Sequence, residues 1–183
     1  MEGAALNTGS FLINIVFTLY LAAIMLRFLL QWVKADFYNP VCQFLMKVTN
    51  PPLIPLRRIV PGFFGVDMAA IVLMLIIQVA EVCLLSWMSG FPITIFVLLL
   101  AVKSLVLLLI QVFIYAIIIQ SISSWFAQPG SYNPLSVLLF QLTNPILKPF
   151  RKHIPPMGGM DFSPLVAIIL LYAVSIFITS LVI

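Results

Sequence analysis

Carboxylates and basic side chains are the groups in this chain that could do chemistry, and they are few. The 183 residues include 9 lysines and arginines, 5 aspartates and glutamates, and 1 histidine. General acid–base catalysis needs two such groups within reach of each other, yet Asp67 and Asp161 have no second carboxylate, cysteine or histidine at a catalytic spacing. His153 stands beside Arg151 and Lys152 without a cluster of metal ligands. We therefore expect no enzymatic activity, no metal and no cofactor.

Two proline-rich segments suggest a different chemistry, the binding of phosphate. Residues 51–61 and 145–155 combine proline with basic side chains, which are Arg57, Arg58, Lys148, Arg151 and Lys152. Arginine binds phosphate through two hydrogen bonds, and a basic residue beside an anionic leaflet is attracted by about 1 kcal/mol. Because proline fixes φ and lacks an amide donor, we predict that each segment is a stiff, extended strap. The alternative is that these charges only set membrane topology.

Three further charges, Arg27, Glu81 and Lys103, lie within long apolar runs, where an ionisable group is costly. Arg27 is close enough to the end of its run to reach lipid phosphates by snorkelling. Glu81 and Lys103 are expected on the same side of the membrane, where they could form an ion pair. Glu81 with Gln78 is also the best candidate for a transport site.

The composition excludes a soluble globular protein, since 63% of the residues are hydrophobic and 8% are charged, with a mean hydropathy of +1.22. Apolar runs predict four membrane spans, at residues 11–33, 66–88, 91–122 with entry near Val97, and 162–183. Seven of the nine basic residues lie just outside these spans. Lysine and arginine mark cytoplasmic loops, so both long loops should face the cytoplasm and both termini the outside. This placement makes nucleic acid an unexpected partner.

The chain contains an internal duplication, visible when it is shifted by 94 residues. The shift superimposes Tyr-Asn-Pro and Thr-Asn-Pro triplets and single residues after them. The matched positions are Asn39, Pro40, Asn50, Pro51, Pro55, Pro61 and Asp67 in the first copy, and Asn133, Pro134, Asn144, Pro145, Pro149, Pro155 and Asp161 in the second. We predict two parallel repeats, residues 1–90 and 91–183, each with a span, a motif loop and a span, in a single membrane domain.

A short amphipathic helix is predicted in each motif loop. Asn-Pro is a good helix start, and Pro51 and Pro145 are expected to end the helix after about nine residues, too few to cross a bilayer. It either lies along the cytoplasmic leaflet or enters the membrane as a re-entrant half-helix. Asp67 and Asp161 are expected to cap the following spans and to bridge to Arg57 or Arg151.

The repeated pattern T-N-P-x-x-x-P-x-R, followed by proline, glycine and aspartate and ending in the second copy as Asp161-Phe162-Ser163-Pro164, resembles the YggT (YlmG-like) family of integral membrane proteins. Arg27 and Trp32 also resemble the family's R-x-x-x-x-W signature. Gln120 replaces the arginine in the second copy. The resemblance implies a bacterial inner-membrane protein linked to osmotic or extracytoplasmic stress and ion homeostasis, with plastid and cyanobacterial relatives linked to nucleoid or division-site organisation and cytochrome assembly.

Two functions fit these expectations. The first is a non-enzymatic accessory or scaffold protein that contacts the lipid bilayer and anionic phospholipid headgroups and forms a homo-oligomer or binds a membrane-protein partner. The second is an ion-conducting pore or transporter subunit. Sequence alone leaves open the transported ion, the partner and the oligomeric state.

Overall fold

The computed structural model describes residues 2–63, 65–90, 92, 94–126, 133–154 and 161–181, with side-chain detail in these ranges except at residues 2–5 and 125. Within them the regular secondary structure is helical, and the helices are joined by turns, one of which contains an isolated backbone pairing of Phe63 with Val66. The helices are α1 (Glu2–Trp32), α2 (Pro40–Ile59), α3 (Met68–Met88), α4 (Val97–Trp125), α5 (Pro134–His153) and α6 (Ser163–Ser180). The all-α prediction is confirmed.

Four of the helices are long and apolar enough to cross a membrane, namely Leu6–Trp32, Met68–Met88, Val97–Ser124 and Ser163–Ser180. They coincide with the four predicted spans, and α4 begins at the expected entry point, Val97. The last two residues of the fourth predicted span, 182 and 183, lie outside the described residues. No more than 33% of any span's apolar window is buried in the protein. The remaining apolar surface suits a multi-pass protein surrounded by lipid.

The proline-rich segments are helical, so the prediction of a nine-residue helix followed by an extended strap is wrong. Pro51, Pro52 and Pro55 lie inside α2, and Pro145 and Pro149 lie inside α5. Proline fixes φ near the helical value, so each one removes an amide donor without reversing the helical direction. Each helix has 20 residues, about 30 Å. The length argument against crossing is therefore lost, although neither helix is apolar enough to be a candidate span.

A buried stripe explains why α2 continues through its prolines. Side chains at spacings of three and four residues are almost fully buried from Cys42 to Leu53, past Pro51 and Pro52, namely Cys42, Leu45, Thr49 and Leu53. Pro51 and Pro55 are exposed and lie off this stripe. The same pattern runs along α5 through Leu138, Leu142, Thr143 and Leu147. Burial of a continuous stripe outweighs the local preference of a Pro-preceding residue for extended backbone.

The chain packs as two compact units, and each is made from separate stretches of sequence. The first unit contains Met1–Phe28 and Leu45–Leu108, and the second contains Leu29–Phe44 and Leu109–Val182. The borders fall inside α1, α2 and α4, so these helices contribute to both units. In the second unit, Ile117, Leu147 and Ala167 form a buried cluster that joins α4, α5 and α6.

The end of α1 is fixed by a Schellman motif. The amide of Ala35 donates to the carbonyl of Leu30 at 2.9 Å, and the amide of Lys34 donates to the carbonyl of Gln31 at 3.1 Å. Lys34 occupies the left-handed position, with φ of 54°. The motif ends the first span and directs the chain toward α2.

Candidate functional site

An arginine–aspartate ion pair joins the end of α2 to the start of α3 in the first unit. The guanidinium Nη2 of Arg57 contacts Oδ2 of Asp67, and Nε donates to Oδ1 at 3.4 Å. Asp67 also caps α3, because its Oδ1 accepts the amide of Ala70 at 3.3 Å. Its side chain is 6% exposed, against 38% for Arg57. Both the predicted cap and the predicted bridge are therefore present.

A tight turn brings Arg57 and Asp67 together. Phe63 and Val66 exchange two backbone hydrogen bonds, at 3.1 and 2.9 Å. Gly65 within the turn has φ of 79°, a conformation that costs glycine little because it has no Cβ. The turn reverses the chain between α2 and α3, which places the carboxylate against the guanidinium.

A second ion pair joins α5 to the start of α6 in the second unit. Nε of Arg151 donates to Oδ2 of Asp161 at 2.8 Å, and Nη1 donates to Oδ1 of Asn144 at 3.4 Å. Oδ1 of Asp161 accepts the amide of Ser163 at 2.9 Å, although the residue at the cap position of α6 is Phe162. Burial raises the pKa of Asp161, but the hydrogen bonds from Arg151 and Ser163 outweigh it, and the net result is a lowered pKa.

A buried arginine lies against the first Thr-Asn-Pro triplet. Nη1 of Arg27 donates to Oγ1 of Thr49 at 2.6 Å, and that hydroxyl donates to the carbonyl of Leu45 at 2.7 Å. Arg27 is only 5% exposed and Thr49 is fully buried. The snorkelling expectation for Arg27 is therefore wrong, because its guanidinium is held inside the first unit.

The second Thr-Asn-Pro triplet makes the matching arrangement with a neutral partner. The side-chain amide of Gln120 contacts Oγ1 of Thr143, which lies 2.8 Å from the carbonyl of Leu139. A hydroxyl has one proton to donate. Because Oε1 is the Gln120 atom that contacts the hydroxyl, Thr143 is the donor, and its single proton is shared between Gln120 Oε1 and the carbonyl of Leu139. Sequence reasoning treated both threonines only as part of a helix stop and missed this role.

Replacing Thr49 by valine should cost more stability than replacing Thr143 by valine. The first change strands a buried charged donor, and we expect a loss of about 1.5–3 kcal/mol in the free energy of unfolding. The second strands a neutral amide and should cost about 0.5–1.5 kcal/mol. Unfolding of the purified chain in detergent would measure both, with Thr49→Ser as the hydroxyl-retaining control. Equal losses for the two valine variants would contradict the difference.

Asparagine starts both amphipathic helices, as predicted. Oδ1 of Asn39 accepts the amide of Val41 at 2.9 Å, and Oδ1 of Asn133 accepts the amide of Leu135 at 3.0 Å. Nδ2 of Asn39 also donates to the carbonyl of Pro134 at 2.8 Å. This bond, between residues 95 apart in sequence, connects the starts of α2 and α5 within the second unit.

A polar cluster surrounds Glu81 in the first unit. Nδ2 of Asn14 donates to Oε1 of Glu81 at 3.2 Å, and Nε2 of Gln78 donates to Oε2 at 2.9 Å. Glu81 and Gln78 are 3% and 6% exposed. Glu81 takes part in neither of the ion pairs described above, and both of its carboxylate oxygens accept from side-chain amides. The suggested pairing of Glu81 with Lys103 is therefore not what the structure shows; the carboxylate is held by two amides.

The chain is similar in sequence to proteins of one known family. The family model described as CCB3/YggT matches residues 6–88 and 99–182. The chain belongs to the CCB3/YggT family. It is 44% identical over 170 residues to an uncharacterized protein of Pseudomonas aeruginosa, covering 91% of this chain and 86% of that protein. It is 37% identical over 172 residues to the protein named YggT in Escherichia coli K12, covering 93% and 88%.

The chain also matches a further protein over a shorter stretch. The chain is 39% identical over 61 residues to the protein named ycf19 of Porphyra purpurea, which covers 33% of this chain and 64% of that protein. No solved structure matches the chain.

Four other basic residues of the amphipathic helices in this CCB3/YggT chain are at the surface. Arg58, Lys148 and Lys152 are exposed, as is Lys47 earlier in α2. The last turn of α2 contains Arg57 and Arg58, and that of α5 contains Arg151, Lys152 and His153. Each helix end therefore has one arginine held by a carboxylate and at least one further cation exposed.

The remaining motif residues of the CCB3/YggT chain lie in or beside these helices. Asn50 and Asn144 are helical, Pro61 lies in the connection to α3, and Pro164 is in the first turn of α6. Pro155 lies outside the described residues. Across the described ranges, no three histidine, cysteine, aspartate or glutamate side chains gather as metal ligands.

Proposed function

We propose that this chain is a non-enzymatic accessory or scaffold protein of a bacterial inner membrane. In this proposal the exposed cations at the ends of α2 and α5 hold anionic phospholipid headgroups or an acidic surface of a membrane-protein partner. The protein acts as an oligomer and contributes to ion homeostasis during osmotic or extracytoplasmic stress. Its motif helices face the cytoplasm and its termini the outside, in agreement with the excess of lysine and arginine in the two long connections.

The observation that supports the proposal is that some basic residues are paired with aspartates, whereas others are exposed. Asp67 and Asp161 neutralise Arg57 and Arg151 and fix the ends of α2 and α5 against the starts of two spans. Arg58, Lys148 and Lys152 remain exposed on these positioned helices. Candidate span α3 begins ten residues after Arg58, and α6 begins 15 residues after Lys148 and 11 after Lys152. This spacing supports a position of the exposed cations near headgroup level.

The absence of enzymatic activity is part of the same proposal. Both aspartates near the basic residues are engaged by a guanidinium and by a backbone amide. A carboxylate whose oxygens already accept hydrogen bonds from a guanidinium and a backbone amide is poorly placed to take a proton from a substrate.

The proposal is tested by the lipids that surround the protein. The full chain is reconstituted in mixed phosphatidylcholine and phosphatidylglycerol, extracted in polymer discs, and the co-purified lipid is measured. Replacing Arg58, Lys148 and Lys152 by glutamine should reduce the enrichment of phosphatidylglycerol severalfold at low salt, at about 1 kcal/mol per charge. Arg58→Lys with Lys152→Arg is the charge-retaining control. Unchanged enrichment in the glutamine variant would leave these residues only a role in topology.

A second candidate function, a subunit of an ion pathway, is favoured by the cluster at Glu81. A buried carboxylate within a span is functional by default, and its amide partner Asn14 lies on the exposed surface of α1. Glu81→Gln should then abolish cation or proton flux in liposomes, whereas Gln111→Leu, which removes an exposed polar group from another span, should not. Liposomes of the unmodified chain that show no flux would remove this candidate.

A further inference from the structure

A cavity of about 560 Å³ lies in the second unit among the C-terminal part of α4, α5 and the first turns of α6. Its volume is within the range of sites that hold small molecules, about 300–1,000 Å³. The apolar lining includes Ile118, Ile122, Leu165 and Ile168. The polar lining includes Gln120, Ser121, Ser124, Arg151 and Asp161. The cavity is therefore amphipathic.

The cavity lies at the ends of two spans. Its α4 residues are the last ones of the candidate span Val97–Ser124, and its α6 residues are the first ones of Ser163–Ser180. In a bilayer this level is the boundary between headgroups and acyl chains. A ligand that enters here from the membrane would bring both a polar and an apolar part.

The charges of the lining define the polar part of that ligand. Arg151 and Asp161 are the two ionisable residues among the lining side chains, and their side chains are 34% and 40% exposed although they pair. The guanidinium has five N–H donors, and its Nε and one Nη1 donor are used by Asp161 and Asn144. The other three N–H donors of Arg151 remain available to a ligand. A lining with one positive and one negative group matches a headgroup that also carries both charges.

We propose that this cavity binds one phospholipid with a zwitterionic phosphoethanolamine headgroup. The phosphate contacts Arg151, the primary ammonium contacts Asp161, and one acyl chain lies along Leu165 and Ile168. A headgroup with a net negative charge fits less well, because the carboxylate of Asp161, which already shares the guanidinium of Arg151, would repel it. This site is separate from the exposed cations of the proposed function, and the two can fail independently.

The experiment uses the full chain in detergent and native mass spectrometry with lipids of identical acyl chains. Phosphatidylethanolamine should bind at least about tenfold more tightly than phosphatidylglycerol, because its ammonium donates a charge-assisted hydrogen bond to Asp161 that phosphatidylglycerol lacks, and one such bond is worth that factor or more. Phosphatidylcholine should also bind more weakly, since its quaternary ammonium has no N–H to donate. Equal binding of phosphatidylethanolamine and phosphatidylglycerol would overturn the proposal, and so would equally tight binding of free phosphoethanolamine.

Two pairs of variants test whether the lipid binds in this cavity. Leu165→Trp fills the cavity and should abolish the preference, whereas Ile71→Trp, at the matching position of the first predicted repeat, should leave it unchanged. The exchange Arg151→Asp with Asp161→Arg keeps an ion pair but reverses its polarity and should weaken binding. The same exchange at Arg57 and Asp67 is its control. Equal effects within either pair would overturn the assignment. Replacing Arg58 and Lys152 by glutamine should leave phosphatidylethanolamine binding intact, even if it lowers phosphatidylglycerol enrichment.

Discussion

Replacing Leu53 or Leu147 by alanine should lower the free energy of unfolding by about 2–4 kcal/mol each. Leu53 is fully buried in the first unit, and Leu147, which is 1% exposed, packs in the cluster with Ile117 and Ala167 in the second. Removing either side chain leaves a cavity that rigid helices cannot close. The loss of packing contacts remains even where lipid replaces water as the surroundings.

The neighbouring Ile54 provides the control for this prediction. It is 50% exposed on the other face of α2, so Ile54→Ala should change the free energy of unfolding by less than about 0.5 kcal/mol. Unfolding in detergent micelles, followed by circular dichroism, measures all three variants. Similar small effects at Leu53 and Ile54 would indicate an extended, solvated strap in place of the helix.

Asp67→Ala is expected to have the second large effect, about 2–3 kcal/mol, because it removes a helix cap and leaves Arg57 without its partner. The value is below that of a fully buried pair, since Arg57 is 38% exposed and can regain water. Asp67→Asn should recover about 1 kcal/mol, because asparagine is also a good capping residue. Equal losses for alanine and asparagine would show that the cap contributes nothing.

Asp161→Asn should be less costly and should depend on pH. The pKa of Asp161 in the folded protein lies below its ordinary value of 3.8, so the ionised pair stabilises the protein above that value. This stabilisation is lost as the pH falls through the lowered pKa. The difference in unfolding free energy between the unmodified chain and Asp161→Asn should therefore be constant near neutral pH and vanish in acid. A difference that persists in acid would show that the charge is not its source.

The spans were predictable because long apolar runs leave the chain no other stable arrangement in a bilayer. The Arg57–Asp67 pair and the asparagine caps were also predictable, since they join residues at most ten positions apart. The helical conformation of residues 51–59 was not predictable. The effect of proline on its neighbour is local, whereas the burial of Leu53 depends on distant parts of the chain. The hydrogen bonds of Arg27 to Thr49 and of Asn14 to Glu81 could not be predicted for the same reason, because they connect different helices.

The discontinuous second unit imposes a delay on biosynthesis. Its early segment, Leu29–Phe44, leaves the ribosome long before Leu109–Val182 exists. The side-chain amide of Asn39 cannot form its hydrogen bond until Pro134, 95 residues later, has been synthesised. At about 5–20 residues per second, synthesis of that stretch takes roughly 5–20 s. During this interval the nascent protein presents an incomplete unit to the insertion machinery and to membrane proteases. Translation speed across α3 and α4 should therefore affect how much of the protein accumulates, even when the sequence is unchanged.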